Sequence, residues 1–130
     1  MAFCIDAADQ NKQTNGTWVE YQDSEFLIAH TSNNVFQRTL GKLQAPHRKK
    51  IDKGTLDPGT SKAILCQSMA QGLLLDWKNV VNSAGDVVPY SKESAAKALK
   101  FDEDFREFVQ EYATDLDNFR SEAIEEAVKS

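Results

Sequence analysis

The chain has 130 residues, a formal charge of −5, and is 41% hydrophobic and 27% charged. That is one ordinary domain, long enough to bury about two-thirds of its unfolded surface in a real core. An acidic balance repels phosphate backbones unless the charge is locally segregated, which disfavours nucleic acid as a partner.

Two cysteines, Cys4 and Cys66, form no C-x-x-C pair, and only His30 and His47 could join them as nitrogen ligands. Metal-ligand spacing is therefore missing, and reduced thiols in a reducing compartment are expected. The opening MAFCIDAADQNKQ has neither the basic start nor the apolar run of a signal peptide. The longest apolar run, Gly72 to Leu75, falls far short of the ~20 residues that span a membrane. The expectation is a soluble intracellular protein that stays where it is made.

In chain order, residues 1–16 end in a polar stretch rich in turn formers, Asp9 to Gly16, and read as a flexible N-terminal arm. Residues 17–130 read as a single, mainly helical domain. Thr17-Trp18-Val19-Glu20-Tyr21 and Phe26-Leu27-Ile28-Ala29-His30 are β-branched and aromatic runs with a short polar stretch between them, the pattern of a β-hairpin. Asn33 or Asn34 can cap a helix whose apolar positions are Val35, Phe36, Thr39, Leu40 and Leu43, and Pro46 should stop or kink it. The segment from Pro46 to Gly54 is strongly basic, with Arg48, Lys49 and Lys50 at its centre. No aromatic residue interleaves it, so it offers nucleobases nothing to stack on. A solvated loop or a contact with an acidic protein surface fits it better.

Thr60 or Ser61 can cap the next helix, which the apolar positions Ile64, Leu65, Cys66, Met69, Ala70, Leu73, Leu74 and Trp77 predict to be the core helix. Gly85 supplies a turn between Val80-Val81 and Val87-Val88, two short extended arms. Ser91 caps a helix through Ala95, Ala96, Ala98 and Leu99. Asp102 caps the last helical region, with Phe105, Phe108, Val109, Tyr112, Leu116, Phe119 and Ala123 on one stripe and a break near residues 114–117. This stripe reads mainly as core, with its outer part past Phe119 left for a partner. The fold class is mainly α (α+β): a small helical domain with an N-terminal β-hairpin.

The sequence offers no pattern for catalysis. It lacks a phosphate-binding glycine loop, a dinucleotide fingerprint and an H-E-x-x-H helix, and neither histidine stands in a nucleophile elbow. The carboxylates Asp102, Glu103, Asp104, Glu107 and Glu111 read as a solvated helix face. No catalytic, cofactor or metal site is assigned.

The order of segments resembles the tail assembly chaperones of long-tailed bacteriophages. The residues that carry the likeness are Gly16-Thr17-Trp18-Val19-Glu20, Ile28-Ala29-His30 with Asn33-Asn34 and Phe36, and Leu74 to Val80 with Gly85. Val88-Pro89-Tyr90-Ser91, Glu93, Ala95-Ala96, Phe105, Val109, Ala113, Phe119, Glu122 and the ending Val128-Lys129-Ser130 complete it. The family often ends in Lys-Asn-Ser, and here Lys129 meets Ser130 directly. The resemblance implies a mainly helical, non-catalytic protein of the host cytoplasm, absent from the mature virion. Its partners would be the tape measure protein and the tail tube protein, and the chain could also self-associate. A structural tail completion or connector protein is the alternative reading. Candidate partner-binding residues are the aromatics Trp18, Trp77, Tyr90 and Phe119 with the basic Arg48, Lys49 and Lys50. Trp77 and Tyr90 could instead pack together beside the Gly85 turn.

Overall fold

The computed structural model describes residues 10–119. Residues Gln10–Asn15 form a short helix, α1, in place of the last part of the expected arm. Its chain continues into strand β1, Thr17–Tyr21, which pairs antiparallel with β2, Ser24–Ile28. Gln22 and Asp23 join them, both with positive φ, the geometry of a two-residue hairpin turn whose twist matches the strands. The register sets Val19 opposite Phe26 and Trp18 opposite Leu27. Val19, Phe26 and Ile28 therefore face the core, while Trp18 and Glu20 lie on the outer face.

A third strand corrects the sequence reading. The core helix, α4, spans Pro58–Gly72 and does not reach Trp77; Leu74–Lys78 is strand β3, paired antiparallel with β2 and placing Trp77 opposite Phe26. Gly72 is the last residue of α4. Its α-carbon passes so close to the next helix that an added Cβ would stand 2.5 Å from the backbone nitrogen of Phe36. A further helical turn would also leave β2 with an unpaired inner edge, and a lone hairpin is marginal in water. With β3 in place the sheet has the order β1-β2-β3.

Helix α2, Asn34–Gln44, starts at Asn33, whose side chain accepts the Phe36 N–H at 3.0 Å. Pro46 ends it in a 3₁₀ turn, Ala45–His47, followed by the short helix α3, Arg48–Asp52. Helix α4 is capped by Asp57, which accepts the Thr60 N–H at 3.0 Å, with Pro58 at the first helical position. Neither Thr60 nor Ser61 is its cap, because proline pre-sets the helical φ one residue after an acceptor. Ser91 caps α5, Lys92–Phe101, and Asp102 caps α6, Glu103–Thr114, each by accepting a backbone N–H at 3.0 Å. After Thr114 the chain breaks and forms a 3₁₀ turn, Leu116–Phe119.

Between β3 and α5 the expected arms meet: Val81 bridges Val87, and the Val88 N–H donates to the Val80 carbonyl at 2.8 Å. Gly85 takes φ +85° at the turn. The core gathers Phe26, Ile28 and Trp77 from the sheet, Met69 and Leu73 from the end of α4, and Leu99, Phe105 and Val109 from α5 and α6. Each such side chain contributes about 1.5–3 kcal/mol by leaving water. Helices α2 and α5 both pack on α4, and α6 packs on α5 and β2.

Candidate functional site

The predicted anchor residues do not converge on one surface. Trp77 is only 6% exposed; its indole N–H donates to the Val88 carbonyl at 2.8 Å, and its ring meets Tyr90 edge-on with centroids 5.4 Å apart. The two pack together beside the Gly85 turn, so Trp77 is a core residue and not an exposed anchor. The Tyr90 hydroxyl donates to the Leu74 carbonyl at 2.7 Å. Burial raises the phenol pKa above its usual value, and the nearby Asp76 charge adds to that. The hydroxyl therefore stays a donor.

Phe119 is fully buried against His30 and Tyr112, with centroids 5.2 and 5.8 Å away. It too is core, and the stripe beyond it lies outside the described residues. Trp18 is 40% exposed on the outer face of the edge strand, with the Lys78 ammonium 4.2 Å from its ring centroid. Arg48, Lys49 and Lys50 are exposed on α3, in the connection between α2 and α4.

His30 makes a contact that no spacing pattern anticipates. Its Nδ1 stands 2.7 Å from the Ser32 hydroxyl, a pairing that nucleophilic catalysis uses. The same Nδ1 accepts the Ser32 backbone N–H at 3.1 Å, and the Ser32 hydroxyl donates to Gln13 Oε1 at 3.1 Å. One hydroxyl hydrogen cannot serve ring and amide at once. The cavity alongside, about 270 Å³, is lined by Gln13, Thr14, Ser32, Asn33 and Asn34, which bring neither a carboxylate nor a second base. These bonds staple the turn from β2 to α2.

A larger concavity lies elsewhere. A trough of about 620 Å³ runs along α4, with α2 on one side and α5 on the other. Ala63, Cys66, Gln67, Ala70 and Gln71 of α4 form its floor, Thr39 and Leu43 one wall, and Ala96 part of the other. The floor carries no charge, although Ala63, Gln67 and Gln71 are exposed. Lys92, Lys97 and Lys100 line the α5 rim with Glu93 as its one carboxylate. Lys92 reaches the Gln71 carbonyl at 3.3 Å, and none of the three lysines pairs with a carboxylate among the described residues. At the end of this rim Phe101 is 80% exposed, the most exposed of the large hydrophobic side chains described.

Charge is segregated along the chain. Residues 34–101 hold eleven lysines and arginines against five carboxylates, and the remainder holds four against fifteen. Sequence reasoning misses the α5 lysines and Phe101 because it reads that helix from its apolar stripe. The available signal is the three-residue step from Lys97 to Lys100, which sets both on one face of the helix. Among the described residues no helix is long and apolar enough to cross a membrane.

Fold and trough together define a small α+β domain with an open surface groove along α4. A family model for the YdaY prophage protein matches residues 31–130, and the chain belongs to that family, which makes it a phage-related protein. The matched region starts at Thr31, after the hairpin. No curated protein and no solved structure matches the chain.

Proposed function

We propose that this chain is a tail assembly chaperone of a long-tailed phage. It is a non-catalytic protein of the host cytoplasm that binds the tape measure protein, helps recruit tail tube subunits, and is left out of the finished virion. Its membership of a prophage family supports the phage setting. The resemblance from Gly16 to Ser130 supports the specific role.

The observation that carries the reading is the uncharged, open floor of the trough on α4. Its exposed residues, Ala63, Gln67 and Gln71, present one small side chain and two neutral amides and no charge. A neutral floor between two walls suits a helix laid into it by another polypeptide. A long, partly apolar helical client aggregates when bare, and a covering of small acidic subunits keeps it soluble. Many weak contacts along one client let tube subunits displace the chaperone by mass action.

Co-expression tests this. The tape measure protein should stay in the soluble fraction with the chain and precipitate without it; precipitation in both cases refutes the reading. Stoichiometric presence in purified particles would instead make the chain a structural tail component.

A further inference from the structure

The trough on α4 has a chemistry that narrows what can fill it. Its floor is small and neutral: Ala63, Ala70 and the buried Cys66, flanked by the amides of Gln67 and Gln71. Small side chains let a second helix backbone approach closely, and a pair of flanking walls fixes its direction. Helices α2 and α5 both pack on α4, so an added helix would lie between them as a fourth.

One wall is basic. Lys92, Lys97 and Lys100 spread over eight residues of α5, about 12 Å along the axis at helical rise. That is two turns, the length over which an apposed helix presents carboxylates at successive i, i+4 positions. Lys97 has no hydrogen bond or ion pair among the described residues, so its charge is open to a partner. Phe101 continues the rim beyond Lys100, whose ammonium is 5.8 Å from its ring centroid. An exposed aromatic beside a lysine row offers an apolar anchor next to the charge.

We infer that this trough is a docking site for an acidic amphipathic helix of a partner protein, with small or aliphatic residues facing α4 and Asp or Glu facing α5. The inference deepens the chaperone reading and rests on it only in taking the chain to be a binding protein. Outside residues 34–101 the chain carries fifteen carboxylates against four cations, which directs an acidic partner to the basic middle of the chain. Charge thus sets where the helix lands, and the neutral floor lets it stay.

The probe is a labelled, designed 18-residue helix with Ala and Leu on one face and Glu on both flanks, titrated into the full chain by fluorescence anisotropy. Saturable binding is expected, weakening as salt rises. K92E/K97E/K100E should weaken it at least tenfold, and a probe with Lys in place of Glu should bind that variant and not the original chain. K92Q/K97Q/K100Q and F101A should each cost about threefold or more, with circular dichroism and melting unchanged. K49E/K50E, a reversal of two lysines on α3, should stay within about twofold.

Absence of saturable binding overturns the inference, as does an equal loss in K49E/K50E. Stronger binding by E122K/E125K/E126K would make the chain's own C-terminal segment the occupant. Concentration-dependent self-association abolished by the lysine reversals would make it a second copy. Displacement of the probe by equimolar duplex DNA would make the rim a phosphate site. If K92E/K97E/K100E still keeps a co-expressed tape measure protein soluble, the trough assignment fails and the chaperone reading stands. If the original chain binds the probe but leaves that client insoluble, the chaperone reading fails and the trough assignment stands.

Discussion

Asn33 offers the sharpest test of how the fold is held. It is buried at 5% exposure, and its amide is used on both sides. Oδ1 accepts the Phe36 N–H at 3.0 Å and so caps α2; Nδ2 donates to the His30 carbonyl at 2.6 Å and to the Gly72 carbonyl at 2.9 Å. The Gly72 contact joins the end of α4 to the start of α2, and the His30 contact closes the turn that leads into α2. Replacement by Ala removes the cap, at about 1 kcal/mol, and two hydrogen bonds at about 0.5–1.5 kcal/mol each. The sum is about 2–4 kcal/mol, or a melting point lower by roughly 10 °C for a domain of this size. Asn33→Asp separates capping from tethering. Asp caps as well as Asn, so a capping role alone leaves this variant near the original stability. The structure instead aims a carboxylate at two carbonyl oxygens, and the cost should equal or exceed that of Ala, about 3 kcal/mol or more. Urea unfolding followed by tryptophan fluorescence reads both. An Asn33→Asp variant as stable as the original chain would refute the tethering argument.

Three further outcomes follow from the packing. Gly72→Ala forces a methyl into the Phe36 backbone, 2.5 Å away, and should destabilise by about 3 kcal/mol; a variant that melts with the original would show that α2 and α4 separate easily. Trp77→Phe keeps one aromatic ring but loses the five-membered ring and its bond to the Val88 carbonyl and should cost about 1–2 kcal/mol or more in denaturant, whereas Trp18→Ala, partly exposed, should cost under about 1 kcal/mol; the reverse order would contradict the burial. Tyr90 links stability to high pH. Its folded pKa lies above the unfolded value of 10, so the neutral phenol's contribution is complete below pH 10 and lost as pH rises through the folded pKa. Tyr90→Phe should remove part of the alkaline decline in melting temperature, and an unchanged slope would deny that the phenol is linked to folding.

Much of the architecture is legible in the residues themselves. The hairpin follows from alternation at Val19, Phe26 and Ile28, and the caps at Asn33, Ser91 and Asp102 from side chains that accept orphan N–H groups. Pro46 and Gly85 punctuate the chain where their backbone chemistry requires. Strand β3 is not legible, because Leu73, Leu74 and Trp77 fit a helical stripe as well as a buried strand. Only the pairing of Trp77 with Phe26, fifty-one residues apart, decides between them. The cap of α4 departs from the sequence expectation for a local reason: Asp57-Pro58 starts the helix before the hydroxyls at Thr60 and Ser61 can.

The candidate site is legible in kind and not in place. Aromatic and basic residues draw attention at Trp77, Tyr90 and α3, where the chain spends them on its own core or on an exposed connection. The trough depends on α2 and α5 lying on either side of α4, a tertiary fact with no trace in local composition. Its lysines resemble an ordinary solvated face, and only the neutral floor beside them sets them apart.

Photo-cross-linking during phage production probes the central claim at the residue that matters. A benzophenone side chain placed at Gln67, on the trough floor, should cross-link to the tape measure protein, while the same group at Glu107, on the exposed face of α6, should not. A tape measure adduct from position 107 with none from position 67 would contradict the account.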